Sequence, residues 1–522
     1  MKKTLLALFG IILQLSLSGQ KTGSWGDQLN GTYINPVLNS DYSDPDVIRV
    51  ENKYYMVCSE FHFMGMPVLE SDDMVNWKII GRVYDNLSFP GYDTNDKYGK
   101  GSWAPSIRFH DNKFWVYFCT PEEGLFMSTA SKPEGPWEPL TIVKNIAGWE
   151  DPCPFWDDNG TGYLGHSKVG AGPIIIHKLS TDGKQLLDDG LTVYTGPVAE
   201  GTKIHKINGF YYLSIPEGGV EKGWQTILRA KSIYGPYEKK VVLEKGSTEI
   251  NGPHQGALVD TPDGQWWFYH FQSDGAMGRV VHLQPVLWNN DWPVIGVDID
   301  RNGIGEPVYV WKKPDIKGDF AISAPQSDDD FNSSSLGLQW QWNHNPVDSY
   351  WSLTDKKGML TLKAMEAESF VKARNTLTQK VMGTTGDAEL ELDLSGLAEG
   401  QKAGLCNMGG RNNNLLGVVK KDGQLYVFTE RNGKTTDEKQ IKAGKIYLKV
   451  ILNIKGGNDS KFYYSLDNKQ FNQIGDSFRT SAGYWKGTRL GLFSYNVSGN
   501  NGSAAFNWFK YNYDGPKGKD QG

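Results

Sequence analysis

Cysteine is scarce, with four residues in 522: Cys58, Cys119, Cys153 and Cys406. None stands in a CxxC pair, and four are too few for a dense framework, so they read as buried free thiols. No cluster of Lys or Arg forms a basic patch and the net charge is −6, which argues against a nucleic acid partner. Beyond the N-terminus no apolar run approaches the roughly 20 residues needed to cross a bilayer, so no membrane span is expected. A helix-rich composition is also missing. Gly (61) and Pro (24) are abundant, and Gly costs ~1 kcal/mol in a helix interior relative to Ala. Helical bundles, coiled coils and disordered chains therefore fit poorly. Turn-rich all-β architecture remains, with 12% aromatic and 39% hydrophobic residues to build a core. The length calls for two domains.

The first 20 residues read as a signal peptide. Lys2 and Lys3 precede an apolar stretch over 5–17, then Ser18-Gly19-Gln20. A short positive region, a short apolar stretch and small residues at the cut describe a secretory signal. No Cys follows, so a lipoprotein anchor is not indicated. Export to the periplasm or the extracellular space is expected.

A weak repeat runs through the next 300 residues. Tyr54-Tyr55, Phe114-Trp115, Tyr211-Tyr212 and Trp266-Trp267 each follow Asn, Asp or Gly in a short β-like run, and a single Tyr163 follows Gly160-Thr161-Gly162. Turn chemistry followed by an aromatic β run reads as a hairpin. The spacing fits one four-stranded propeller blade per hairpin, which gives five blades. The chain is thus expected to hold a five-bladed β-propeller over 21–322. Period-2 runs such as Met359 to Lys363 and Ala388 to Asp393 predict a concanavalin-like antiparallel β-sandwich over 323–522. The tail from 515 onward is expected to fray.

Counting back from each hairpin finds one distinctive residue per blade. Asp44, Trp103, Asp151, Glu200 and His254 lie 10, 11, 12, 11 and 12 residues ahead of Tyr54, Phe114, Tyr163, Tyr211 and Trp266. Singly, each has an ordinary reading: Asp before Pro starts turns, and a lone His or Trp belongs in a core. In common register, at the start of five innermost strands, they converge on one end of the propeller axis. Carboxylates around an aromatic floor point to glycoside hydrolysis, which needs a protonated acid at the leaving oxygen and an ionised carboxylate for water or for direct attack. Indole faces stack on sugar rings.

These residues sit in motifs that resemble glycoside hydrolase family 43: Ser43-Asp44-Pro45-Asp46, Trp103-Ala104-Pro105, Glu150-Asp151-Pro152, Glu200-Gly201, Asn251-Gly252-Pro253-His254-Gln255-Gly256, and the run from Gly278-Arg279 to Pro285 with Asp291-Trp292-Pro293. The stretch from Asp330-Phe331 through Gly337 to Asn343 resembles the sandwich that follows many propellers of that family. Thr202 departs from the pattern, since many relatives carry Pro after the Glu-Gly pair.

The resemblance implies an inverting arabinofuranosidase or β-xylosidase acting on plant polysaccharide fragments. It makes Asp44 the general base, Glu200 the general acid and Asp151 the modulator of the acid's pKa, with base and acid roughly 6.5–9.5 Å apart. Trp103, Phe61, His254 and Arg279 are the expected substrate-binding residues, with Arg279 holding Asp151 or a sugar hydroxyl. No cofactor is implied for the chemistry. A structural calcium at the propeller axis would lie near His254. Phe63 is a second candidate wall beside Phe61, and residues 84–100 form a candidate rim loop. The simplest role of the sandwich is structural, covering the propeller flank and lending a loop to the pocket rim; in the alternative, a sugar-binding sandwich, Trp340, Trp342 and Trp351 are the candidates. Two other readings stay open: a non-catalytic sugar-binding propeller, and a retaining glycosidase with Asp44 as nucleophile and carboxyls about 5–5.5 Å apart.

Overall fold

The computed structural model describes residues 23–517 except 62, 63, 95 and 411. The signal-peptide reading and Phe63 fall outside the described residues. The described chain is all-β, with three short 3-10 turns and no α-helix.

Five four-stranded antiparallel sheets follow one another, each with its strands in sequence order. Their innermost strands are Asp46–Val50, Trp103–His110, Trp149–Trp156, Lys203–Ile207 and His254–Asp260. These five sheets are the blades of a propeller.

The aromatic doublets explain why the blades stack. Neighbouring residues in a strand point to opposite faces, so each doublet serves two blades. Tyr54 packs with Trp267 and Tyr269 of the fifth blade, while Tyr55 packs edge-on against Phe114 of the second, 5.1 Å between centroids. Trp115 faces the third blade. Tyr211 and Tyr212 divide the same way between the third and fifth blades. In the third blade the first of the two positions is Gly162, and Tyr163 alone faces the fourth. The doublet is there, with one ring missing.

No strand is shared across the closure between the fifth and first blades. Side chains and the N-terminal segment close it instead. Arg49 pairs with Asp260 at 2.7 Å, and the Tyr269 hydroxyl donates to the Met74 carbonyl at 2.6 Å. Leu38 and Val281 exchange backbone hydrogen bonds. A small sheet of Gly26–Asp27, Thr32–Ile34 and Val310–Lys312 covers this side.

The remaining strands, from Gln341–Trp342 to Ser503–Tyr513, form two facing sheets, antiparallel but for Met365–Glu366, which pairs parallel with Arg489–Asn496. Their core holds Leu390, Leu405, Leu448, Leu492 and Phe506, all fully buried. Trp340 and Trp342 belong to this core, at 1% and 5% exposure, and Trp351 packs on Trp342. Their burial leaves Trp340 and Trp342 no face for a sugar and gives them a structural role. Of the expected tail, 518–522 lie outside the described residues, and its start is docked: Trp25 stacks on Tyr513, and the Tyr513 hydroxyl donates to the Pro516 carbonyl at 2.9 Å.

Candidate active site

Each innermost strand is entered through a residue in left-handed conformation: Asp44 (φ 54°), Ala104 (35°), Asp151 (58°), Gly201 (61°) and Gln255 (37°). Non-glycine residues rarely adopt φ > 0, and such strain concentrates at functional sites. Pairing shifts at the same place in three blades, between Trp103 and Ser106, Glu150 and Cys153, and His254 and Gly256. A bulge re-aims the side chains beside it. Here the repeated kink turns side chains from the blade faces into one cavity of about 660 Å³, lined by Asp44, Phe61, Trp103, Glu150, Asp151, Glu200, Gln255, Arg279 and Trp485 among others.

Five carboxyl groups line this cavity: Asp44, Glu150, Asp151, Glu200 and, at Glu221, one that takes no part in the cluster described below. Asp44 accepts hydrogen bonds from Ser43 Oγ at 2.9 Å, Ser59 Oγ at 2.5 Å and Arg279 at 3.0 and 3.2 Å. Arg279 was expected on Asp151 or a sugar hydroxyl. It lies on Asp44 because its strand, Arg279–Asn289, runs beside the segment leading to Asp44, where Leu38 bridges Val281. Asp151 accepts from the Gly201 backbone at 2.6 Å and from Gln255 at 3.1 Å. Burial first, then the charges of Glu150, Glu200 and Asp44, hold its carboxyl well above the usual range.

Glu150, Asp151 and Glu200 form a trio with one carboxylate oxygen of each within 4.8 Å of the others. Asp44 stands outside it. Burial and the nearby Glu200 push the Glu150 carboxyl up to about 8. Like charges this close do not all ionise, so the trio keeps a proton near neutral pH. Glu150 stands in the Glu150-Asp151-Pro152 motif, but counting back from the hairpin reaches its neighbour Asp151 and so marks no role for Glu150.

His254 is fully buried, and its Nε2 lies 2.6 Å from Glu200 Oε1. It acts on Glu200 from behind and does not line the cavity. Its Nδ1 faces Gly223, where an added Cβ would stand 3.0 Å away. The trio, the one group of metal-type ligands found among the described residues, excludes it. The axis beneath the site carries the chain's own cations. Lys203 reaches across from the fourth blade to the second, donating to Pro105 O at 3.0 Å and Ser106 Oγ at 2.7 Å. Arg108 pairs with Asp46 at 2.7 Å. Among the described residues no group of three metal-type ligands includes His254, while its Nδ1 is buried without a hydrogen-bond partner.

The walls are aromatic. Phe61 meets Trp103 edge-on at 5.9 Å, and Trp103 meets Trp485 at 6.5 Å. Trp485 comes from the sandwich, at the tip of a turn closed by a Gly483–Lys486 bridge. It is 59% exposed. Sequence reasoning missed it, since no repeat or motif marks it. Gly99, from the expected rim loop, packs against Tyr484 and Trp485. That loop docks on the sandwich: Tyr98 stacks on Tyr484 at 5.0 Å, Asn343 donates to the Tyr98 hydroxyl, and Asn345 donates to Leu87 O and Asp93.

The model of glycosyl hydrolases family 43 matches residues 33–293, and that of the beta xylosidase C-terminal concanavalin A-like domain matches 328–512. A relative from Xylanibacter ruminicola is 56% identical over 474 residues, covering 91% of this chain and 88% of its own. A beta-xylosidase of Formosa agariphila is 40% identical, covering 96% and 94%. The crystal structure of the GH43 protein BlXynB of Bacillus licheniformis superposes with a TM-score of 0.82 at 29% identity, covering 92% of this chain and 99% of that one. On these grounds the chain is a glycoside hydrolase and belongs to glycosyl hydrolase family 43.

Proposed function

We propose that this is an exported, exo-acting, inverting glycosidase that removes β-xylosyl or α-L-arabinofuranosyl units from the non-reducing ends of plant cell-wall glycans. One observation carries the reading: the trio of Glu150, Asp151 and Glu200 faces a cavity that also holds Asp44, which has its own set of donors in Arg279 and two serine hydroxyls. An inverting hydrolase needs such a division, with an acid at the leaving oxygen and a separate base for water.

In this reading Glu200 is the general acid. His254 fixes its carboxyl through Oε1. Asp151, held by Gly201 and Gln255, is the modulator that stands beside the acid in the same trio. Asp44 is the general base, its oxygens oriented by three donors so that water between Asp44 and the anomeric carbon loses its proton to the carboxylate. Phe61, Trp103 and Trp485 wall the sugar. The axial layer of Lys203 and Arg108 lies beneath, which suits a pocket for a chain end over a through-groove.

Xylose is favoured over arabinose by the 40% identical beta-xylosidase, although arabinofuranose and xylopyranose present related hydroxyl patterns to one pocket. Export rests on the sequence of residues 1–20. The test is hydrolysis of 4-nitrophenyl β-D-xylopyranoside and α-L-arabinofuranoside, with Glu200→Gln as blank. The wild type should turn over at least one, and the variant should lose about 10²–10⁴-fold, as expected for a lost acid. Turnover of neither by wild type, or an undiminished Glu200→Gln, would overturn the reading.

A further inference from the structure

The segment 38–44 delivers Asp44 to the site, and it runs between the two halves of the molecule. On one side Leu38 pairs with Val281, and the Tyr42 N–H donates to Arg279 O at 3.1 Å. On the other, Ser40 Oγ donates to Val381 O at 2.7 Å and the Gly383 N–H donates to Asn39 O at 2.9 Å. Asp41, 4% exposed, joins both sides through one carboxylate. Its Oδ1 accepts from the Arg279 backbone N–H at 2.9 Å, and its Oδ2 accepts from the Gly487 backbone N–H at 2.9 Å.

Each partner leads directly to the cavity. Arg279 holds Asp44. Gly487 stands two residues beyond Trp485, in the turn that carries that indole to the wall. Next door, the Thr488 N–H donates to Ala276 O at 2.8 Å. The junction is close-packed: a Cβ on Gly487 would stand 2.3 Å from Met277 O, and a Cβ on Gly278 would stand 2.3 Å from Asp41 Oδ1. Neither glycine leaves room for a side chain unless the backbone moves.

We propose that Asp41 is a positioning residue that locks the Trp485 turn of the sandwich to the Arg279 strand of the propeller. The propeller thereby holds the sugar-binding wall that the sandwich supplies. A buried carboxylate that accepts two backbone N–H groups fixes both, because losing either bond leaves a buried donor unpaired. An amide at this position presents one acceptor and one donor, so it satisfies only one N–H and repels the other. Asp41 touches no substrate and acts through its two partners.

The inference rests on the glycosidase reading, and a double-mutant cycle tests it separately. Asp41→Asn should lower kcat/KM about 10-fold on the 4-nitrophenyl glycoside that wild type hydrolyses, mainly through KM. In a Trp485→Ala background the same change should cost less than about 2-fold, because the wall it positions is already gone. Equal losses in both backgrounds, or no loss in either, would overturn the proposal. Asp41→Ser, which keeps one acceptor without charge, runs the same cycle if Asp41→Asn folds poorly. A second readout is independent of turnover. With 5-fluorotryptophan incorporated, the ¹⁹F line that Trp485→Phe removes should shift or broaden in Asp41→Asn. An unmoved line would contradict the coupling. Failure of wild type to hydrolyse any tested glycoside would instead count against the function.

Discussion

Arg279 donates from one guanidinium nitrogen to both oxygens of Asp44, at 3.0 and 3.2 Å, and to Ser43 Oγ at 2.9 Å. The side chain that prepares the proposed base therefore comes from the last blade, while the base comes from the entry to the first. Arg279→Met should leave Asp44 with only its serine donors. A charge-assisted hydrogen bond contributes about 1.5–3 kcal/mol, so kcat/KM should fall roughly 10–150-fold. Steady-state kinetics on the better glycoside check it, and a change below 3-fold would contradict the clamp.

Glu150 gives a pH-dependent prediction. Its carboxyl is raised to about 8 by burial and by Glu200, against an ordinary value near 4.3 in the unfolded chain. Between those values the native state holds a proton that the unfolded state has lost. The contribution to stability is thus full below about 4, falls as pH rises, and is gone above about 8. Glu150→Gln mimics the protonated form. It should flatten the decline of Tm across this window and extend the alkaline limb of the pH–rate profile. Parallel wild-type and variant profiles would remove Glu150 from the trio's proton balance.

Trp485 is more than half exposed, so Trp485→Ala should leave Tm within about 2 °C, as for surface substitutions. Loss of a stacking face should raise KM roughly 5–20-fold with kcat less affected, the pattern of binding energy shared by ground and transition states. An unchanged KM would mean that the sugar does not touch the sandwich.

Chelation tests the axis. Lys203 and Arg108 supply the positive charge there, and His254 is engaged by Glu200. Dialysis against EDTA should therefore change kcat/KM by less than 2-fold on kinetic assay. A loss of 10-fold or more that calcium restores would contradict this account of the axis.

Much of the site was legible because the propeller repeats. One strained entry recurs in five innermost strands, so counting back from the aromatic hairpins finds Asp44, Asp151 and Glu200 without contacts being known. The count slipped by one in the third blade, where Gly162 stands in place of a ring and Tyr163 is the second member of the doublet. Side-chain partners across blades were less accessible. Arg279 reaches Asp44 and not Asp151, and His254 turns to Glu200, because strand neighbours around a closed ring depend on how segment 38–44 threads between domains. Trp485 lay beyond reach of sequence reasoning. It belongs to a turn with no repeat to compare, and its role depends on how the sandwich docks. Trp340 and Trp342 show the converse: a dense aromatic motif that packs a core.

The stereochemical course of hydrolysis tests the central claim most directly. Proton NMR of the first sugar released from a β-xyloside, recorded before mutarotation, distinguishes the anomers. The assignment of Asp44 as general base predicts α-xylose as first product, through direct attack by water. β-Xylose would mean retention, with Asp44 acting as a nucleophile, and would contradict the division of labour between Asp44 and Glu200.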